Sequence, residues 1–125
     1  MGKEKSPRRV GDKEALAVGT TIRGSAQKLG LVAALIRGRR VGDALNVLSF
    51  SKRAMAVDVS KVLASAIANA ENNHNLDVDA LVVKEASVGK SMTMKRFHTR
   101  GRGKSTRILK PFSRIRIIVE EREEA

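Results

Sequence analysis

Cysteine, tryptophan and tyrosine are all missing from this chain of 125 residues, and three phenylalanines make up the whole aromatic complement. Without cysteine there is no disulfide, no thiolate nucleophile and no cysteine-based zinc site, which fits a reducing compartment. With so few rings the chain is poorly equipped to grip single-stranded nucleic acid by stacking bases. No apolar run approaches the ~20 residues that span a bilayer, and no N-terminal apolar block resembles a secretory signal. A soluble, unexported chain with no membrane partner is expected.

One further absence is local. From Lys90 to Arg116 there is no Asp or Glu, while ten Lys or Arg residues are interleaved with Gly101, Gly103 and a few apolar side chains. A run of like charge repels itself when compact, so this stretch cannot form a core and calls for a polyanion to neutralise it. The formal net charge of +12 and a pI near 10.9 point the same way. A solvated face is the ordinary fate of a charge run, but one lacking acidic counter-charges over 27 residues favours nucleic acid. Hydrophobic content of 42% still allows a small core, and the length suits one domain.

Along the chain, residues 1–13 read as a basic arm. From Ala15 to Ile22 the larger Leu16, Val18, Thr20 and Ile22 alternate with smaller residues, a period of two that predicts a strand ending at Gly24. Ser25 is a candidate cap for a helix carrying Leu29, Val32, Ala33 and Ile36 and stopping at Gly38, with Arg37, Arg39 and Arg40 at its C-terminal end. A short helix is predicted over Asp43–Ser49, and Ser49 or Ser51 offers the next cap. The strongest helical period runs from Lys52 to about Asn72 through Met55, Val59, Val62, Leu63, Ala66, Ile67 and Ala70. Strand-like alternation returns at Leu81–Val83 and at Ile115, Ile117 and Val119. Paired antiparallel, these ends make 82–119 one long hairpin turning near His98–Gly103, with an apolar base and a basic distal part. Such an isolated two-stranded arm is marginal in water. Residues 121–125 form an acidic tail, and 14–120 a single domain.

No catalytic set emerges. Gly89-Lys90-Ser91 and Gly103-Lys104-Ser105 imitate a phosphate loop, but Lys84 and His98 stand where the first glycine is required. His74 and His98 have no ligand-type neighbour at helical spacing, and Asp77 and Asp79 read as turn caps. No metal or cofactor is expected, and the chain is read as no enzyme. One class of nucleic-acid binder with such a charge is a free basic regulator or nucleoid-type protein. That class presents a recognition helix, whereas here the helices carry apolar stripes and the charge lies on the hairpin.

Three groups of residues carry a family likeness: Ser25-Ala26-Gln27-Lys28-Leu29 with Leu35-Ile36-Arg37-Gly38, Ser65-Ala66-Ile67-Ala68-Asn69-Ala70-Glu71-Asn72-Asn73, and Met94-Lys95-Arg96 with Gly101-Arg102-Gly103-Lys104 and Arg107-Ile108. In this order and spacing the chain resembles the bacterial large-subunit ribosomal protein L twenty-two family from about Ala15 to Val119. The resemblance implies an α+β fold, a small three-helix and antiparallel-sheet domain with a long extended β-hairpin. It implies a cytoplasmic, ribosome-bound structural protein that contacts large-subunit ribosomal RNA and supports subunit assembly, with no stable homo-oligomer. Its hairpin would line the nascent-peptide exit tunnel beside ribosomal protein L four, and the Met-Lys-Arg motif is linked to macrolide response.

Carried over by position, the RNA contacts expected on the base are Arg8, Arg9, Arg23, Lys28, Arg37, Arg39 and Arg40. Those expected on the hairpin are Lys90, Lys95, Arg96, Arg100, Arg102, Lys104, Arg107, Lys110 and Arg114. The tunnel-lining tip is Met94, Lys95, Arg96, Phe97, His98, Thr99, Arg100, Gly101, Arg102 and Gly103. Many members place Gly-Pro before the Met-Lys-Arg motif where this chain has Ser91-Met92, and a tip proline where it has Thr99.

Overall fold

In a computed structural model the described residues are 13–122, so Arg8, Arg9 and most of the acidic tail lie outside them. The element order is β1 (Glu14–Arg23), α1 (Ala26–Ile36), α2 (Val41–Phe50), α3 (Met55–His74), a short 3-10 turn (Val78–Ala80), β2 (Leu81–Thr99) and β3 (Ser105–Glu121). The three strands form one antiparallel sheet in the order β1-β3-β2, and the helices cover one of its faces. The α+β class and the long hairpin expected from sequence are both present.

The strands show how the sequence reaches this arrangement. In β1 the alternation is real, but the buried side is the one with smaller residues: Ala15 and Ala17 are buried and Val18 is 46% exposed. The reason is α3, which lies so close that a Cβ on Gly19 would sit 2.7 Å from Cγ2 of Val62. Asn69 of α3 donates its side-chain N–H to the Leu16 carbonyl at 3.0 Å, tying helix to strand. A register shift between Gly19 and Ile22 then turns Ile22 inward against the core.

All four residues expected on the inner face of α1 are fully buried, and the Ser25 hydroxyl accepts from the Lys28 amide at 3.3 Å. The helix ends at Ile36, two residues before Gly38, whose φ of 76° carries the chain into the next segment. There the Gly38 amide donates to Val83 and the Val83 amide donates to Arg39, stitching the connection to β2. Helix α2 is one turn longer than the sequence pattern, with Asp43 in its first turn favoured by the helix dipole.

Helix α3 begins at Met55 rather than Lys52. No side chain caps it: Ser51 accepts from the Arg53 amide and holds the preceding turn, and Ala54 occupies the cap position. It continues to His74, and Asn75 ends it in the left-handed region at φ 52°, where an asparagine is tolerated. Leu76 then donates its amide to Ala70 and packs against the core. Asp77 caps the following turn by accepting from the Asp79 amide at 3.1 Å, as the sequence suggested.

Candidate nucleic-acid interface

Strands β2 and β3 leave the helices behind at one level of the sheet. Here β1 makes its last pair, Arg23 with Phe112, and β2 carries a bulge between Lys90 and Met92. The Gly24 amide donates to the Pro111 carbonyl at 3.0 Å, and the Ser113 hydroxyl donates to the Gly24 carbonyl at 2.8 Å. Among the described residues, Ser113 is the one polar side chain buried with the core. Gly24 has a φ of 135°, and a Cβ there would fall 1.8 Å from Cε of Met55. Backbone, hydroxyl and thioether thus clasp the root of the hairpin.

Beyond the root, every residue from 90 to 110 is exposed. At ~3.3 Å per residue, the stretch from Lys90 to the turn at Arg102 reaches about 40 Å from the base. The pairing is continuous to Thr99 and Ser105, and the turn spans 100–104, centred slightly later than the sequence suggested. The Arg100 amide donates to the Lys104 carbonyl, and Arg102 and Gly103 both take positive φ, 63° and 69°. Glycine fits that geometry at no steric cost, while Arg102 adopts it less readily.

The register separates like charges. Met94 stands opposite Lys110, Lys95 opposite Leu109, Arg96 opposite Ile108 and Phe97 opposite Arg107. Directly opposed cations would destabilise the pair, and in no β2–β3 pair does one cation face another. Alternation divides the arm into two faces. One carries Met92, Met94, Arg96 and His98 with Phe112, Lys110, Ile108 and Thr106; the other carries Thr93, Lys95, Phe97 and Thr99 with Pro111, Leu109, Arg107 and Ser105. Each face mixes aliphatic surface with unneutralised positive charge, a pattern suited to a surface that is part sugar and base, part phosphate.

The expected contact residues fall into two groups. Lys90, Lys95, Arg96, Arg107 and Lys110 lie along the arm, Arg100, Arg102 and Lys104 lie in its turn, and Arg114 continues their line onto the base. Met94, Lys95 and Arg96 sit in mid-strand, three to five pairs below the turn. The helical group is separate. Lys28 is in the first turn of α1; Arg39 donates from Nε to the Leu35 carbonyl at 2.7 Å, and Arg37 from Nε to the Ala86 carbonyl at 2.9 Å. Both guanidiniums are thereby aimed, with other N–H groups left to donate. Arg40 occupies the cap position of α2.

Two residues outside the expected set also face the interface. Phe112 lies between Arg23 and Met92, and Arg116 lies beside Val18 and Ser87 on the uncovered face of the sheet. Their signal was present in the alternation Lys110, Phe112, Arg114, Arg116, which places all four on one face once β3 is read as a single strand. Acidic residues on this face, Glu14, Glu85 and Glu120, stay at the far end of the sheet. Glu14 accepts from the Lys84 ammonium, which holds the lysine pKa above its ordinary value of 10.5.

A match to the family model for ribosomal protein L22p/L17e covers residues 17–120, from within β1, through the helices and the arm, to near the end of β3. The chain belongs to the ribosomal protein L22p/L17e family. Its similarity to individual members extends over its full length: it is 84% identical to large ribosomal subunit protein uL22 of Sphingopyxis alaskensis, across 99% of this chain and 98% of that one. It is 82% identical to the protein of the same name from Novosphingobium aromaticivorans, across the whole of both chains, and 75% identical to that of Zymomonas mobilis. This is a family of structural ribosomal proteins, not of enzymes.

Proposed function

We propose that the chain is a structural protein of the large ribosomal subunit. The helical base docks on large-subunit ribosomal RNA, and the arm runs into the RNA until its turn reaches the nascent-peptide exit tunnel. One observation carries the reading: from residue 90 to 110 the hairpin has no buried side chain and no acidic one, yet Met92 to Thr99 pair without interruption with Phe112 to Ser105. Two strands with no core of their own are marginal in water, so the arm requires a polyanion on its surface. Ribosomal RNA supplies phosphates along its whole length, and the alternation of cations with Met, Ile, Leu and Phe suits sugars and bases between them.

In this reading the base group, Arg23, Lys28, Arg37, Arg39 and Arg40, fixes the outer contact, and Lys95 to Lys104 reach the tunnel wall beside ribosomal protein L four. Nascent peptide is a passing neighbour of the turn. Sucrose-gradient sedimentation tests the assignment: the chain is expected with the large subunit at high salt, and release into free fractions would instead favour a free regulator. A photoreactive residue at Phe97 is expected to crosslink to RNA, to the neighbouring protein or to nascent peptide. A version lacking the turn, replaced by a tight two-residue loop, is expected to fold but to slow subunit assembly or alter macrolide response.

A further inference from the structure

Three cations from three different strands converge on the uncovered face just past the root. Arg23 closes β1, Arg96 lies on β2 and Lys110 on β3, and with Met94 and Phe112 they line an open hollow of about 370 Å³. The register accounts for the meeting: Arg23 pairs with Phe112, whose next neighbour on this face is Lys110, opposite Met94, and Arg96 follows one step outward. The ion pairs of Lys84 with Glu14 and of Arg122 with Glu120 lie at the other end of the sheet and involve none of the three. The hollow therefore gathers positive charge over a floor made of a half-buried phenylalanine ring and a methionine thioether.

Such a site selects for a ligand with two parts. A bare anion would relieve the repulsion but leave the ring and thioether facing water. An apolar group alone would leave the cations unneutralised. A nucleotide satisfies both, since an unstacked base packs on an aromatic face or a sulfur while its phosphates accept from guanidinium and ammonium groups. The volume falls within the roughly 300 to 1,000 Å³ common for small-ligand sites. Charge continuity favours a nucleotide that belongs to a longer chain. On the same face, Arg114 and Arg116 line a second hollow, of about 160 Å³, on the base side, and the cationic turn lies on the other.

We propose that this hollow holds one unstacked nucleotide of ribosomal RNA, its base on Phe112 and Met94 and its phosphates on Arg23, Arg96 and Lys110. The proposal rests on the RNA-binding reading above. A benzophenone side chain placed at Met94 of the full chain, in ribosomes purified from cells, is expected to crosslink to a single nucleotide of large-subunit RNA. In particles carrying Arg96→Gln or Lys110→Gln, that nucleotide is expected to lose its protection from base-specific chemical probes. Thr93→Ala, on the other face of the arm and outside the expected contacts, is expected to leave the protection intact. These side chains are exposed, so the base should fold in every variant.

Crosslinks to protein alone would assign the hollow to an acidic peptide and overturn the proposal. So would RNA crosslinks scattered over many nucleotides, or protection that survives Arg96→Gln and Lys110→Gln. A probe-bearing chain missing from the large-subunit fraction would overturn the RNA-binding reading itself, and this proposal with it.

Discussion

Val83, Ala86 and Ile117 in the base and Lys95, Phe97 and Leu109 in the arm belong to the same two strands, yet the first three are buried and the last three exposed. Backbone pairing runs through both regions, with β2 bulging between Val83 and Glu85 and again between Lys90 and Met92. What changes at Ser113 is the loss of the third strand and of the covering helices, and with them the side chains that could exclude water. Pairing alone does not stabilise a ribbon in water; a covered face does. The base brings its own cover, whereas the arm must obtain one from a partner.

The largest effect that separates the two regions is expected from Leu63→Ala, which opens a cavity under β1 and β3 and should destabilise the isolated chain by about 2–5 kcal/mol in urea unfolding. Leu109→Ala deletes a side chain of the same size that is 53% exposed, and should move the same transition by no more than about 0.5 kcal/mol. Equal losses would show that the arm is packed in the free protein. The next largest is expected at the junction: Gly24→Ala forces a side chain into φ 135° against Met55, costing roughly 1–3 kcal/mol. Ser113→Ala follows at about 1 kcal/mol, because it removes the donor to the Gly24 carbonyl. Both should lower the assembly rate more than an arm substitution of equal stability cost, since they free the root. Unchanged assembly would mean that RNA alone sets the direction of the arm.

Much of this division could be read from sequence. The inner faces of α1 and α3 follow from a 3.6-residue period, and the hairpin follows from alternation at two ends of an acid-free run. Three features could not be read because they depend on contacts distant in the chain. The buried side of β1 is the small-residue side only because α3 presses against Gly19. The start of α3 moved because Ser51 holds a turn instead of capping the helix. The meeting of Arg23 with Arg96 and Lys110 depends on a register set by bulges in two strands, which no local pattern reports. A one-residue slip would have put Phe112 and Lys110 on the opposite face.

In the arm itself, replacing Lys95 by Gln should leave the unfolding transition in place. It should lower the slope of log affinity against log salt, measured on large-subunit RNA, by about 0.7–0.9 for one lost phosphate contact. A shift in unfolding without a change in slope would make Lys95 part of the fold and not of the interface.

The smallest effect belongs to Lys84, in the base, whose pKa is displaced. The Glu14 carboxylate accepts from Lys84 and raises its pKa above the ordinary 10.5, against an opposing contribution from desolvation. A lysine with a raised folded-state pKa contributes stability that is fully present below the unfolded value and lost as pH rises through the folded one. Wild type and Lys84→Gln should therefore differ by a constant, small amount from neutral pH up to the ordinary lysine range, and converge only above it. The chain suits the measurement, because it has no cysteine thiol or tyrosine phenol to titrate in the alkaline range. If wild type and Lys84→Gln kept the same difference above the ordinary lysine range, the Glu14 contact would not be stabilising the base, and the contrast between a base with internal counter-charges and an arm that needs external ones would fail.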